Sequence, residues 1–168
     1  MTKPEIDLID LEVLRSRLET VGEQACRAIE QTAVSPARGE TGECVLVVED
    51  DSDVRGYVVE TLGGLGYDVL DAKNGEDALR LLDEYKGIRL LLTDVVMPGM
   101  NGRKLADAAR TRLPDLKVVF MTGYSRNAIV HQGRLDPGVD LIQKPISSDQ
   151  LATTIRKALD QYRLPRIL

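Results

Sequence analysis

The stretch LLTDVVMPGMNG, residues 91–102, begins as an apolar run and stops at one carboxylate, Asp94, before a loop rich in proline and glycine. An apolar run of this kind favours a strand that is buried on both faces of a sheet. Proline and glycine then favour a turn over continuation of the strand. Asp94 is therefore predicted to lie where a buried strand ends.

Four other short apolar runs lie on either side of this one, and amphipathic segments separate them. The five predicted strands cover residues 44–49, 67–72, 88–94, 116–122 and 138–144. The predicted helices between and after them cover residues 52–66, 74–87, 101–114, 125–133 and 147–162. Strands that alternate with helices predict an α/β fold, with a five-stranded parallel, doubly wound sheet between two layers of helices.

Residues that commonly cap helices stand at the predicted helix starts. The predicted N-caps are Ser52, Asn74, Asn101, Ser125 and either Ser147 or Ser148. Their side-chain oxygens suit the unpaired N–H groups of a first helical turn. Asp51 and Asp53 are interpreted as charges at a helix start, and Asp71 as a solvated residue.

The composition indicates a soluble globular protein. The chain has 168 residues, of which 43% are hydrophobic and 29% charged, and aromatic residues make up only 4%, so the core is expected to be aliphatic. The net charge of −5 argues against binding to nucleic acid or to a membrane surface, since both need a basic face.

The cysteine and histidine pattern argues against a zinc site or a disulfide framework. Cys26 and Cys44 are far apart, and His131 is the only histidine. No apolar run reaches the roughly 20 residues that span a bilayer, and the first residues are acidic where a secretory signal would be basic and then apolar. These features predict a cytoplasmic location.

An N-terminal helix is predicted before the α/β region. Its apolar stripe consists of Leu11, Leu14, Leu18, Val21, Ala25 and Ala28. We assign residues 1–38 to this helix and a linker, and residues 39–168 to the α/β domain. The stripe fits a dimerising coiled coil, an extra helix packed on the domain, or a partly disordered tail.

Polar residues follow the predicted strands at one edge of the sheet. Glu49 and Asp50 follow the first strand, Asp94 ends the third, Thr122 the fourth and Lys144 the fifth. In doubly wound sheets the functional crevice lies outside these carboxyl ends. Three neighbouring carboxylates repel one another unless a proton or a hard cation lies between them, and Mg²⁺ suits their oxygen ligands. The lysine and threonine add donors for a dianionic group at Asp94.

Four motifs carry a family resemblance. The stretches VLVVEDD (45–51), LLTDVVMPGMNG (91–102), VVFMTGY (118–124) and LIQKP (141–145) resemble the signatures of the receiver domain of two-component response regulators. The resemblance extends over residues 43–162. It implies a flavodoxin-like receiver fold with strand order 2-1-3-4-5.

The resemblance also implies a role for each acidic residue. Asp94 would be the phosphoacceptor, and Asp50 would bind Mg²⁺ directly. Glu49 would bind it through water, and the backbone carbonyl of Val96 and Asp94 itself would complete the protein ligands. Thr122 would hydrogen-bond a phosphoryl oxygen.

The resemblance also implies a role for Lys144 and predicts the partners of the protein. Lys144 would pair with a phosphoryl oxygen, and the Lys144–Pro145 peptide would be cis. The implied phosphodonor is a sensor histidine kinase or a histidine phosphotransfer protein. The chain ends soon after the last predicted helix, so we expect its signal to pass to a downstream protein by direct contact.

One position departs from the common receiver pattern. Many receivers carry Tyr or Phe three residues before the lysine, whereas this chain has Leu141. Tyr124 is the nearest aromatic candidate to respond to the state of the site. Val96 and Tyr124 flank Asp94 in the predicted site, and we expect them to shield a phosphoryl group from water.

Other functions also fit parts of this sequence. Asp94 alone also fits a turn-capping role, but a cap does not require the other polar residues at neighbouring strand ends. A receiver fold can act as an interaction module without phosphorylation. A phosphatase on a similar fold would need a second catalytic acid just after Asp94, where this chain has the apolar residue Val96. The N-terminal residues 10–36 are also similar to the opening helix of hydantoinase B-type subunits.

Overall fold

The computed structural model describes residues 38–40, 42–124 and 139–161. The predicted N-terminal helix, the helix predicted over 125–133, its cap Ser125 and His131 lie outside these ranges. Within them, no helix is long and apolar enough to cross a membrane.

The described residues form five strands and four helices. The strands are β1 (Cys44–Val48), β2 (Asp68–Ala72), β3 (Ile88–Asp94), β4 (Lys117–Thr122) and β5 (Asp140–Gln143). The helices are α1 (Ser52–Gly64), α2 (Gly75–Glu84), α3 (Gly102–Arg112) and α4 (Ser148–Asp160). Every strand pair is parallel, and the order is β2-β1-β3-β4-β5. The predicted fold class and strand order are confirmed.

The sheet has a separate apolar core on each face. Along β1, Leu46 and Val48 face the layer that contains α2 and α3, whereas Val45 and Val47 face the layer that contains α1 and α4. Side chains of a strand alternate between faces, so strands covered on both sides must be apolar at nearly every position. The strands are aliphatic along most of their length because helices cover both faces of the sheet.

The helix starts agree with the predicted caps except in α1. Asn74 and Asn101 each accept a hydrogen bond from the backbone of the first helical turn, and Ser147 forms a capping box with Gln150. The prediction of Ser52 as a cap is wrong. Asp51 is the cap of α1, because its Oδ1 accepts from the N–H groups two and three residues later, at 2.9 and 3.1 Å.

The strand register brings the polar residues to one edge of the sheet. Asp94 at the end of β3 pairs with Met121, the residue before Thr122. Thr122 in turn pairs with Gln143, the residue before Lys144. Asp94, Thr122 and Lys144 therefore lie at the carboxyl ends of three adjacent strands, and each is one register position further along than the one before it.

Candidate functional site

Three carboxylates meet at the carboxyl edge of β1 and β3. One oxygen from each of Glu49, Asp50 and Asp94 lies within 4.8 Å of the other two. Glu49 is 1% exposed and Asp94 7% exposed, whereas Asp50 is open to solvent. Two carboxylates of the cluster are therefore buried, and the third faces solvent.

Lys144 contacts both buried acids. Its Nζ donates to Asp94 Oδ2 at 2.7 Å and to Glu49 Oε2 at 2.9 Å. Burial alone would lower the pKa of Lys144, but its hydrogen bonds to Asp94 and Glu49 outweigh that effect and raise it. The ammonium therefore stays charged and offsets part of the repulsion between the acids.

Glu49 is almost completely buried within the cluster. Burial raises the pKa of its carboxyl group, the hydrogen bond from Lys144 opposes this rise, and the nearby charge of Asp94 adds to it. Its Oε1 accepts a hydrogen bond from the N–H of Asp51 at 3.2 Å. Both Glu49 oxygens thus have a donor in the described structure.

The loop after Asp94 fixes the orientation of this side chain. The Val96 N–H donates to Asp94 Oδ1 at 3.1 Å, so one carboxylate oxygen is held by the loop and the other by Lys144. The Gly102 N–H donates to the Val95 carbonyl at 3.0 Å and closes the loop onto the start of α3. The side chain therefore has a fixed direction at the edge of the sheet.

Thr122 and Lys144 are linked through the backbone. The Lys144 N–H donates to the Thr122 carbonyl at 2.7 Å, and the Thr122 hydroxyl is buried and accepts from the Tyr124 N–H at 3.0 Å. The Lys144–Pro145 peptide is cis, as predicted. Val96 and Tyr124 are each 48% exposed beside these residues.

Arg55 is a residue of this region that the sequence analysis did not identify. Its Nη1 donates to the backbone carbonyl of Glu49 at 2.7 Å, and its Nε donates to Asp71 Oδ2 at 3.0 Å. Asp71, predicted to be solvated, is half exposed but paired with this arginine. The available signal was the position of Arg55, one helical turn after the cap Asp51.

The donor set fits a hard divalent cation. Three carboxylates supply oxygen ligands at one place, which Mg²⁺ prefers, and exposed Asp50 leaves room for the waters that Mg²⁺ retains. With Lys144 as the only described cation that contacts these carboxylates, the cluster retains net negative charge. An added cation would neutralise it.

Known proteins share this arrangement of sequence and fold. The family model for the response regulator receiver domain matches residues 45–156. The sensor kinase CckA of Brucella abortus is 37% identical over 118 residues, which are 70% of this chain and 12% of the kinase. The response regulator receiver protein CpdR of Brucella abortus is 37% identical over 115 residues, which are 68% of this chain and 95% of CpdR.

Solved structures give the same result. The receiver domain of the hybrid histidine kinase CckA superimposes with a TM-score of 0.59 at 36% identity, over 69% of this chain and 98% of that one. The response regulator TrrA of Thermotoga maritima, solved in complex with Mg²⁺-BeF, gives a TM-score of 0.60 at 29% identity, over 70% of this chain and 99% of that one. The chain therefore belongs to the family of response regulator receiver domains of two-component systems.

Proposed function

We propose that this receiver accepts a phosphoryl group on Asp94, with bound Mg²⁺, from a phosphohistidine of a sensor histidine kinase or a histidine phosphotransfer protein. The observation that carries the proposal is the position of Lys144, whose Nζ contacts Asp94 and Glu49 inside a cluster of three carboxylates. An interaction surface without phosphoryl chemistry has no need for this costly arrangement of buried charges.

In the proposed transfer, a carboxylate oxygen of Asp94 forms a bond to phosphorus while the bond between phosphorus and the donor imidazole nitrogen breaks. The electron pair of the broken bond stays on the imidazole. Lys144 and the Thr122 hydroxyl then bind oxygens of the phosphoryl group. The transition state of such a transfer is loose, so placement and charge stabilisation matter more than covalent assistance.

The cation would be held by the residues of the acidic cluster. Asp50, Asp94 and the Val96 carbonyl would bind it directly, and Glu49 would act through a water molecule. When bound, Mg²⁺ neutralises charge on the transferring phosphoryl oxygens. Receivers are not conventional enzymes, and the reaction catalysed here is the chain's own phosphorylation and dephosphorylation.

Location, domain limits and partners are further parts of the proposal. The two widely separated cysteines support a reducing, cytoplasmic location. The division into a helix with a linker (residues 1–38) and the receiver (residues 39–168) stays a prediction, as does a homodimer formed through the predicted helix. The phosphorylated form signals by contact with a downstream protein, and the acidic net charge of −5 argues against nucleic acid as its target.

Intact-protein mass spectrometry after incubation with acetyl phosphate tests this function. We expect one added phosphoryl mass on the wild type with Mg²⁺, none after chelation, and none on Asp94→Asn. Circular dichroism of the variant checks that it is folded. If the folded wild type binds Mg²⁺ but takes up no phosphoryl group, the phosphoacceptor function is wrong and a binding-only module is favoured.

A further inference from the structure

Arg55 connects two strand ends beside the acidic cluster. It lies in the first turn of α1, and its guanidinium reaches back to the carbonyl of Glu49 with Nη1 at 2.7 Å. Its Nε donates to Asp71 of β2 at 3.0 Å. The two donors of one planar group thus bind the end of β1 and the end of its neighbour β2.

The carbonyl that Arg55 binds belongs to the peptide unit that joins Glu49 to Asp50. The other side of Glu49 is also held, since its N–H donates to the Ala72 carbonyl at 3.2 Å. Rotation of this peptide unit would reorient the side chains of both Glu49 and Asp50. A fixed carbonyl therefore fixes the relative positions of two of the three carboxylates in the cluster.

A guanidinium suits this role better than an ammonium. Its donors have a fixed planar spacing, so one side chain can satisfy the Glu49 carbonyl and the Asp71 carboxylate together. Lysine has a single nitrogen on a flexible stem and would not reproduce both bonds in the same geometry. The Arg55 side chain is only 20% exposed, which strengthens these charge-assisted bonds.

We propose that Arg55 is a positioning residue for the cation site, acting through the Glu49–Asp50 peptide. The proposal rests on the proposed function, because it assumes that the cluster binds Mg²⁺. Partners that orient metal ligands without touching the metal commonly contribute about 10- to 100-fold to metal affinity. Arg55 makes such contacts to the backbone of one ligand and to the strand beside it.

The charge of Arg55 alone would have the opposite effect. A positive charge near the cluster repels a cation, so its removal would tighten Mg²⁺ binding if charge were all that mattered. A positioning role predicts weaker Mg²⁺ binding when the hydrogen bonds of Arg55 to Glu49 and Asp71 are lost. The two effects differ in sign for Arg55→Met, and they also differ for Arg55→Lys, which keeps the charge.

Arg112 provides a matched control. Its Nε donates to Asp83 Oδ1 at 3.0 Å and its Nη1 donates to the Ala108 carbonyl at 3.1 Å, the same pattern of bonds that Arg55 makes. Arg112 ends α3, whereas the cluster lies beyond the carboxyl ends of β1 and β3. Arg112→Met therefore removes a similar bridge without touching the proposed site.

The experiment is a calorimetric titration of the full chain with Mg²⁺ for the wild type, Arg55→Lys, Arg55→Met and Arg112→Met. We expect both Arg55 variants to bind Mg²⁺ about tenfold more weakly than the wild type, and Arg112→Met to match it. With acetyl phosphate, the Mg²⁺ concentration for half-maximal phosphorylation should rise by the same factor in the Arg55 variants, while the rate at saturating Mg²⁺ changes little.

The outcomes separate this inference from the proposed function. A wild type that binds Mg²⁺, with Arg55→Lys unchanged and Arg55→Met equal or tighter, overturns the positioning role alone. A folded wild type that binds no Mg²⁺ overturns the proposed function and this inference with it. If Arg55→Met fails to fold, Arg55→Lys decides the question. For this variant a positioning role predicts weaker Mg²⁺ binding, whereas a charge effect predicts unchanged Mg²⁺ binding.

Discussion

Tyr67, the residue just before β2, has a buried hydroxyl group. The residue is 4% exposed, and its Oη makes no hydrogen bond of normal geometry to the described residues, although the Arg156 guanidinium lies close to it. Burial raises the pKa of the phenol, and the nearby Arg156 guanidinium opposes part of this rise. An unpaired buried hydroxyl costs about 1–3 kcal/mol of stability.

Tyr67→Phe should therefore raise the free energy of unfolding by about 1 kcal/mol, because it removes the unpaired group and keeps the ring. Urea unfolding at pH 7 measures the change. Tyr57→Phe is the control, since Tyr57 is 44% exposed and its hydroxyl can be hydrated. A Tyr67→Phe protein less stable than the wild type would show that the hydroxyl has a stabilising partner.

The raised pKa of Tyr67 also predicts a pH dependence. Above the ordinary tyrosine pKa of about 10, the unfolded chain loses the phenol proton while the folded chain keeps it, so wild-type stability falls as pH rises. Tyr67→Phe lacks this loss. Its stability advantage should grow above pH 10, as measured by urea unfolding across that range, and a constant difference would contradict the buried phenol.

Val96 and Tyr124 are expected to shield phosphorylated Asp94 from water. Each is 48% exposed, and each backbone N–H bonds a site side chain, Asp94 or Thr122. The double change Val96→Ser and Tyr124→Ser keeps these N–H groups and removes the apolar cover. The phosphoryl lifetime, followed by mass after donor removal, should shorten several-fold. Tyr85→Ser, at an exposed site after α2, should leave it unchanged, and equal lifetimes in all three proteins would refute the shielding role.

The start of α3 packs directly against the end of β3. A Cβ built on Gly102 would collide with the carbonyl oxygen of Asp94 and lie 3.1 Å from Val95 Cα. Backbone cannot withdraw as a flexible side chain can. Glycine at the first position of α3 therefore lets the helix approach the strand that carries Asp94.

Gly102→Ala should lower the free energy of unfolding by about 2 kcal/mol or more and slow phosphorylation, because the loop after Asp94 must move. Thermal unfolding and acetyl phosphate uptake measure the two effects. Gly56→Ala is the opposite control, since Gly56 lies inside α1 with open space at its Cβ and should gain about 1 kcal/mol. If both changes had the same sign, the close approach would not explain Gly102.

Arg156 connects the residue just before β1 to helix α4. Its guanidinium contacts Glu43 at 2.6 and 2.9 Å and Asp160 at 2.9 and 2.7 Å. It also donates to the Arg38 carbonyl at 3.4 Å. Hydrogen bonds to Glu43 and Asp160 raise the pKa of Arg156, with burial opposing the rise. The contact with Glu43 joins residues that are 113 positions apart in the sequence.

Arg156→Met should lower the free energy of unfolding by about 2–3 kcal/mol, because Glu43 loses a bidentate partner while remaining mostly buried. Arg80→Met is the control. Arg80 pairs with Asp77 on the surface of α2, where such a pair contributes at most about 1 kcal/mol. Urea unfolding compares the two, and equal small losses would show that Arg156 is no more than a surface residue.

The fold and the order of the polar strand ends could both be predicted from the amino-acid sequence. Apolar runs alternating with amphipathic segments require strands covered by helices, and parallel strands bring Glu49, Asp94 and Lys144 to one edge. These inferences depend on local patterns and on a general rule of sheet geometry. The choice between Ser52 and Asp51 as cap lay beyond them, because both residue types can cap and only the backbone path selects one.

Which distant side chains meet could be seen only in the folded chain. The pairing of Arg55 with Asp71, the contacts of Arg156 with Glu43 and the unpaired hydroxyl of Tyr67 join or isolate groups whose spacing along the chain follows no period. Periodicity predicts the face on which a residue lies and the edge at which a strand ends. The partner of a long, flexible side chain depends on how the helices pack across the sheet, which local sequence does not encode.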